Sequence, residues 1–167
     1  MLEEIYSNII ERAEAFKGSD KFETLIRKSI TIAVLSDHDP KPHIKNVSFK
    51  LKELLEGLTT LTNSKGKGVA LKIGTETFLI IAEELQFEFD ESEAFLMFHL
   101  RKLGKFRKRE ADLLSELTGL WKEYPEYEMA KIDFSRSLKD LMRAKFIHYR
   151  RGNILLNPSF VIRYRES

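Results

Sequence analysis

The sequence predicts an α+β fold that is mainly helical, with short β-hairpins, and three observations support this. Apolar residues recur every three or four positions over most of the chain, which is the spacing of one buried helical face. Short apolar runs next to Gly, Asn and Pro follow the helical stretches, as expected of strands joined by turns. The order of these elements repeats in residues 1–85 and 90–167, so we expect two domains joined by the acidic residues 82–90.

The first domain is predicted to hold three helices and a hairpin. An apolar stripe with outward Glu residues predicts a helix over residues 2–16. The next helix is expected over residues 21–34, although its Ile- and Val-rich end also suits a strand. A third helix is predicted over residues 44–58, and strands on either side of Gly74 are predicted to form a hairpin within residues 69–81.

The second domain is predicted to repeat this order. Its first helix spans residues 92–103, where Asp90 and Glu93 have the spacing of a capping box. Its second helix spans residues 107–121. A third is expected to begin at Asp133, a good N-cap residue, and to bury a face with i, i+3, i+4 spacing that comprises Leu138, Leu141 and Met142.

A hairpin is predicted after the third helix, because the chain can turn at Gly152-Asn153 and again at Asn157-Pro158. Residues 111–120 and 137–147 resemble the second and third helices of winged helix-turn-helix DNA-binding proteins. Residues 154–163 are similar to the wing of plasmid replication initiators of the small Gram-positive type. Two features depart from the family pattern: the connection over residues 121–129 is longer than usual, and Lys145 stands where a Gly is usual. The resemblance implies winged helix-turn-helix domains, two in tandem if the first domain repeats the second.

The charge of the chain is divided between its two parts. Residues 1–100 hold 12 Lys and Arg against 17 Asp and Glu, a net charge of −5, whereas residues 101–167 hold 16 against 9, a net charge of +7. A positive surface attracts a phosphate backbone, because neutralising phosphates releases counterions. The basic part is therefore a candidate for binding nucleic acid, although Lys and Arg on a solvated face also serve solubility alone.

The winged-helix resemblance assigns roles to these basic residues. In the third helix, Ser135, Arg136 and Lys139 are expected to contact base edges in the major groove. Lys131 is expected to contact a phosphate at the start of this helix. At the hairpin, an adjacent groove or backbone would be reached by the tip residues Arg150, Arg151 and Asn153. Further candidates are Arg143, His148, and a basic cluster before the second helix that comprises Lys105, Arg107, Lys108 and Arg109.

No arrangement of a nucleophile with a base is recognisable, so we expect neither catalysis nor a cofactor. The loop over residues 37–43 contains two Asp and two His, which makes a metal site an alternative to a rigid polar connection. His99 is expected to lie in the core. Without cysteine, the chain has no disulfides or thiolate zinc sites.

These observations favour an intracellular protein that binds double-stranded DNA as a homodimer. It would act as a transcription regulator or as a replication initiator of a plasmid or virus. The acidic first part would contact a protein partner. The alternative is an adaptor or structural protein whose winged helices bind other proteins. No apolar run approaches the roughly 20 residues that span a bilayer, so we expect a cytoplasmic protein without membrane contact.

Overall fold

The computed structural model describes residues 1–33, 44–101 and 108–166, and it confirms an α+β fold that is mostly helical, with small antiparallel sheets. The helices are α1 (Leu2–Arg12), α2 (Asp20–Ser29), α3 (Leu51–Thr62), α4 (Lys67–Glu84), α5 (Glu91–Leu100), α6 (Glu110–Glu123) and α7 (Lys131–Arg143). The strands are β1 (Ile30–Ile32), β2 (Ile44–Phe49), β3 (Lys108–Arg109), β4 (Ile147–Arg150), β5 (Asn153–Leu156) and β6 (Phe160–Arg165).

The strands form two antiparallel sheets. One has the order β1-β2-β6, with Ile44 opposite Arg165, so the last strand of the chain pairs with a strand of the first half. The other has the order β3-β5-β4, with Lys108 opposite Ile154. The second sheet therefore lies wholly in the second half, whereas the first sheet joins the two halves.

One hydrophobic core runs through both halves, and Phe146 lies near its centre. This side chain is fully buried, and its ring lies edge-on to Phe49 of β2 at 6.2 Å, Phe78 of α4 at 6.3 Å and Phe160 of β6 at 5.0 Å between centroids. Edge-to-face pairs at such distances add to the free energy gained by burial. Phe146, three residues beyond the end of α7, is thus packed against β2 and α4 of the first half.

The hairpin predicted over residues 69–81 is wrong, because this stretch lies within the single helix α4. The hairpin had been predicted because Gly74 was interpreted as a turn residue. Gly74 is instead buried in the helix, where a Cβ atom would lie 2.2 Å from Cζ of Phe98 on α5. Glycine is required there by the close approach of two helices, and the core side of α4 includes Phe78 and Ile81.

The predicted third helix over residues 44–58 is wrong in its first part. Residues 44–49 form β2, in which Val47 and Phe49 are buried, and α3 begins only at Leu51. The predicted helix over residues 21–34 ends at Ser29 and continues as β1, the strand alternative that its composition had left open. The repeated order of elements that suggested two tandem domains is therefore not observed.

The second half follows its prediction more closely. The capping box of Asp90 and Glu93 is confirmed at the start of α5, where Glu93 N donates to Asp90 Oδ1 at 2.8 Å. The hairpin after α7 is confirmed as β4 and β5. Three details are wrong. The helix predicted over residues 107–121 begins only at Glu110, because residues 108–109 form β3 and pair with β5. In addition, α7 begins at Lys131, ahead of Asp133, and Met142 is 42% exposed where burial had been predicted.

Candidate nucleic-acid interface

The exposed face of α7 carries most of the candidate contacts. The helix buries Phe134, Ser137, Leu138 and Leu141. On the opposite side, at i, i+4, i+7 and i+11, lie the exposed residues Ile132, Arg136, Lys139 and Arg143. Because this spacing keeps side chains on one helical face, the amphipathic pattern that buries α7 also presents its cations together.

Two of these cations pair with acids of their own helix. Arg136 binds Asp133, and Arg143 Nη1 lies 3.4 Å from Asp140 Oδ1. The two arginine side chains remain 71% and 78% exposed, so each pair is weak and can exchange with another anion. Lys139 forms no ion pair with any acid in the described part of the chain.

The β4–β5 hairpin presents two arginines at its tip. Arg150 lies opposite Asn153, and the turn between them has φ of 52° at Arg151 and 77° at Gly152. Positive φ at both central residues is typical of the type I′ turn, whose twist matches that of the flanking strands. Arg150 and Arg151 are exposed, and neither pairs with an acid among the described residues.

Glu110, the first residue of α6, links α7 to this hairpin. Ser135 Oγ donates to Glu110 Oε1 at 3.0 Å, and the same carboxylate lies near enough to the phenol of Tyr149 on β4 to influence its pKa. Burial raises the pKa of the Tyr149 phenol above its usual value, and the negative charge of Glu110 raises it further. Sequence reasoning missed Glu110, because Ser135 and Tyr149 both lie far from it in the chain.

Ser135 therefore has a different environment from the one predicted for a base contact. It is half-buried, and its hydroxyl proton is directed at Glu110. It lines a groove of about 730 Å³ between α6 and α7. The same groove brings Lys131, a predicted phosphate contact, close to Lys122 of α6, a cation that the sequence analysis did not assign.

The base of the hairpin is held by a C-cap on α7 and by one asparagine. Phe146 N donates to Leu141 O at 3.0 Å and Lys145 N to Met142 O at 3.1 Å, the two bonds of a Schellman motif. Lys145 has a φ of 70°, so it adopts the left-handed conformation that usually favours glycine. Asn157 Nδ2 also donates to Lys145 O at 2.7 Å.

His148 is exposed on β4, and its Nδ1 is hydrogen-bonded to Asn157 Oδ1. This bond ties β4 to the residue that follows β5. His148 thus helps to hold the strands of the hairpin at their base. If His148 contacts a phosphate or a groove, as predicted, it would do so with its imidazole oriented by the bond to Asn157.

The basic cluster before α6 is described only in part. Lys105 and Arg107 lie outside the described residues. Lys108 pairs with Glu116, whose other oxygen lies 3.2 Å from Nε2 of the buried His99. Arg109 is exposed at the start of α6. Of the two cluster residues that are described, only Arg109 is both exposed and without an acidic partner there.

The other candidate sites find no support in the described residues. The possible metal loop over residues 37–43 lies outside them, and within them no three His, Asp or Glu side chains are grouped to hold a metal ion. None of the described helices is long and apolar enough to cross a membrane. His99 is buried, as predicted.

No protein-family model, curated protein or solved structure matches this chain.

Proposed function

We propose that this protein binds double-stranded DNA through the exposed face of α7 and the tip of the β4–β5 hairpin. The observation that carries the proposal is the set of exposed cations on these two neighbouring elements. Lys139, Arg150 and Arg151 pair with no acid of the described residues, and Arg136 and Arg143 are held only by exposed acids. A phosphate backbone supplies the counter-charge that such a surface attracts.

The arrangement of residues 91–156 supports a winged helix-turn-helix as the fold of this region. The elements follow in the order α5, β3, α6, α7, β4, β5, and the short β3 completes a three-stranded sheet with the hairpin. In such a domain α7 would be the recognition helix and the β4–β5 hairpin would be the wing. The left-handed Lys145 takes the position where this fold usually has a glycine.

In this proposal α7 enters the major groove. Arg136 and Lys139 lie within its exposed face, where they can reach acceptor groups on base edges, most often those of guanine. Ile132, which the sequence analysis did not select, is 78% exposed on the same face. An exposed aliphatic side chain there suits the methyl group of thymine. Lys131 and Lys122, beside the α6–α7 groove, would contact phosphates.

The hairpin would grip the adjacent backbone or minor groove through Arg150, Arg151 and Asn153. Glu110 has a positioning role in this proposal, because it accepts a hydrogen bond from Ser135 of α7 and lies near Tyr149 of the hairpin. Two rigidly related contact surfaces reduce the loss of conformational freedom on binding.

A single domain of this kind reads only a short half-site, so we propose that the protein works as a homodimer on a palindromic site. Regulation of transcription and initiation of plasmid or virus replication are the two roles in which such binding would act. The acidic first part would serve contacts with a protein partner, including the second copy.

The test is a fluorescence-anisotropy titration of a labelled mixed-sequence duplex of about two helical turns, at about 50 and about 200 mM salt. Binding should weaken steeply with salt. A Lys139→Gln variant should lower the slope of log affinity against log salt by about one. Lys72→Gln, an exposed lysine of α4, is the matched control and should leave the slope unchanged. Absence of binding at the lower salt would overturn the proposal.

A second candidate function is a non-enzymatic adaptor, favoured by the apolar side chains on the same surface. Ile132 is 78% exposed and Met142 is 42% exposed on α7, and Arg136 is already paired with Asp133. Exposed apolar groups beside neutralised charges suit a protein partner better than phosphate. The adaptor would be favoured if the wild type does not bind DNA and if an Ile132→Ser variant loses binding to a protein partner of the wild type.

A further inference from the structure

A second cavity lies on the other side of α6, away from the α7 face and the hairpin. Its volume is about 270 Å³. It is bounded by the end of α3, the first turns of α4, the end of α5 and Leu120 of α6, and none of its described lining residues belongs to α7, β4 or β5. Whatever occupies this cavity would therefore not compete directly with the proposed DNA contacts.

Arg101 is the principal charged group of this cavity. Its Nη1 donates to Phe98 O at 2.7 Å, and its guanidinium carbon lies 4.4 Å from the centroid of the Phe98 ring. The side chain pairs with no carboxylate among the described residues. Burial lowers the pKa of this guanidinium below its usual value. A partly buried cation without a counter-ion is costly, and an anion bound beside it would reduce that cost.

The rest of the lining suits an anion with an apolar body. Lys67 and Asn63 provide further donors at one end. The hydroxyls of Thr59 and Thr62 donate to carbonyls of their own helix, so neither threonine supplies a hydroxyl proton to a ligand. The apolar part of the wall comes from Ala70, Leu71, Phe98 and Leu120, and no Asp or Glu of the described residues lines the cavity.

The volume limits the size of the ligand. One water molecule has a share of about 30 Å³ of liquid volume, so a cavity of about 270 Å³ holds on the order of nine non-hydrogen atoms. A nucleotide is too large for such a space, and a bare inorganic anion would leave the apolar walls without contacts.

We propose that this cavity binds a small organic carboxylate, with the carboxylate on Arg101 and the apolar body between Leu71, Phe98 and Leu120. The planar guanidinium matches a carboxylate through two parallel hydrogen bonds. This site is independent of the proposed DNA binding and stands whether or not the protein binds DNA.

Benzoate, which has nine non-hydrogen atoms and an apolar ring, is the probe, and benzamide is its uncharged control of the same shape. We expect benzoate to bind the full-length protein with a dissociation constant of about 1 mM or below. Amide chemical shifts should change at Ala70, Leu71 and Phe98, with no change on α7. Benzamide should bind at least about tenfold more weakly.

Substitutions at Arg101 and Ala70 separate the contribution of the positive charge from that of the cavity volume. Arg101→Gln removes the cation and should weaken benzoate binding by at least about tenfold, whereas Arg101→Lys should keep part of it. Ala70→Leu fills the cavity without changing a charge and should abolish binding. A urea unfolding curve for each variant shows whether it is folded.

The proposal is overturned if benzoate does not bind, if benzamide binds equally well, or if Arg101→Gln binds as tightly as the wild type. Inorganic phosphate is tested in parallel. If phosphate binds and benzoate does not, the site is one for a bare anion and the organic carboxylate is wrong. Shift changes confined to Arg150, Arg151 and α7 would show that benzoate binds only the basic surface, and would also overturn the proposal.

Discussion

The two halves of the molecule use their cations differently. In the first half, several cations tie elements together: Arg12 of α1 pairs with Glu83 and Glu84 of α4, and Lys28 of α2 pairs with Glu53 of α3 at 2.8 Å. Lys17 and Lys21 of the same half are exposed and pair with no acid of the described residues. Arg12 and Lys28 each pair with an acid that lies on a different helix. These side chains serve the fold and have little capacity left for a ligand.

In the second half the exposed cations of α7 and the hairpin form no such bridges. Where pairs exist they are local, as in Arg143 and Asp140, three residues apart on one helix. Arg150 and Arg151 pair with no acid of the described residues. A shared core joins the halves, so the difference is one of surface chemistry. In our proposal, α7 and the hairpin of the second half are where a polyanion would bind.

The largest expected effect concerns the shared core. Phe146→Ala would leave a cavity among Phe49, Phe78 and Phe160, and a buried Phe→Ala change costs about 3–5 kcal/mol. Urea unfolding followed by circular dichroism should show one transition at a lower midpoint. If the variant instead shows two transitions, with only the second half destabilised, the halves do not share one cooperative core.

An intermediate effect is expected from Tyr127, which precedes α7. Burial, together with the negative charges of Glu76 of α4 and of Glu126, raises its pKa to about 12. The folded state therefore holds the phenolic proton more tightly than the unfolded state, whose tyrosine titrates near 10. The stability that this group contributes is complete below pH 10 and is lost as the pH rises towards about 12.

The test compares wild type with Tyr127→Phe between pH 9 and about 11.5. The wild type should lose roughly 1–2 kcal/mol more of its free energy of unfolding over this range than the variant. At neutral pH the two should be nearly equal in stability. An equal alkaline loss in both proteins would show that Tyr127 is not the group concerned.

The smallest effect is expected from Arg12→Ala. Its pairs with Glu83 and Glu84 are partly exposed, so their loss should cost about 0.5–1 kcal/mol and should cost less at high salt. Unfolding curves at low and high salt measure the loss of stability and its dependence on salt. DNA binding should not change, because this arginine belongs to the first half. A loss of DNA affinity would contradict the division between the halves.

Local signals in the sequence predicted the second half well. The capping box of Asp90 and Glu93 and the turn at Gly152 each depend on residues within three positions of one another, so their patterns are visible in the chain. The cationic face of α7 follows from helical spacing alone. The sequence therefore sufficed for most elements of the second half, though not for β3, and for most of the candidate surface.

The errors arose where distant contacts decide the structure. Position 74 needs glycine because the ring of Phe98 leaves no room for a side chain. Residues 44–49 form a strand because β1 and β6 pair with them. Neither partner is visible in a local pattern. Glu110 and Arg101 were missed for the same reason, since their importance comes from Tyr149 and from a cavity formed by four helices.

The most direct test of the division between the halves is a matched pair of double variants in the salt-dependent DNA titration. Arg150→Gln with Arg151→Asn removes two charges from the hairpin tip, and Asn tolerates the positive φ at residue 151. Lys17→Gln with Lys21→Gln removes two exposed charges from the first half.

The hairpin variant should lose affinity and reduce the salt slope by about two, while the Lys17 and Lys21 variant should bind as the wild type does. Equal losses in both variants would show that only net charge matters. That result would contradict the account that α7 and the hairpin form the DNA-binding surface.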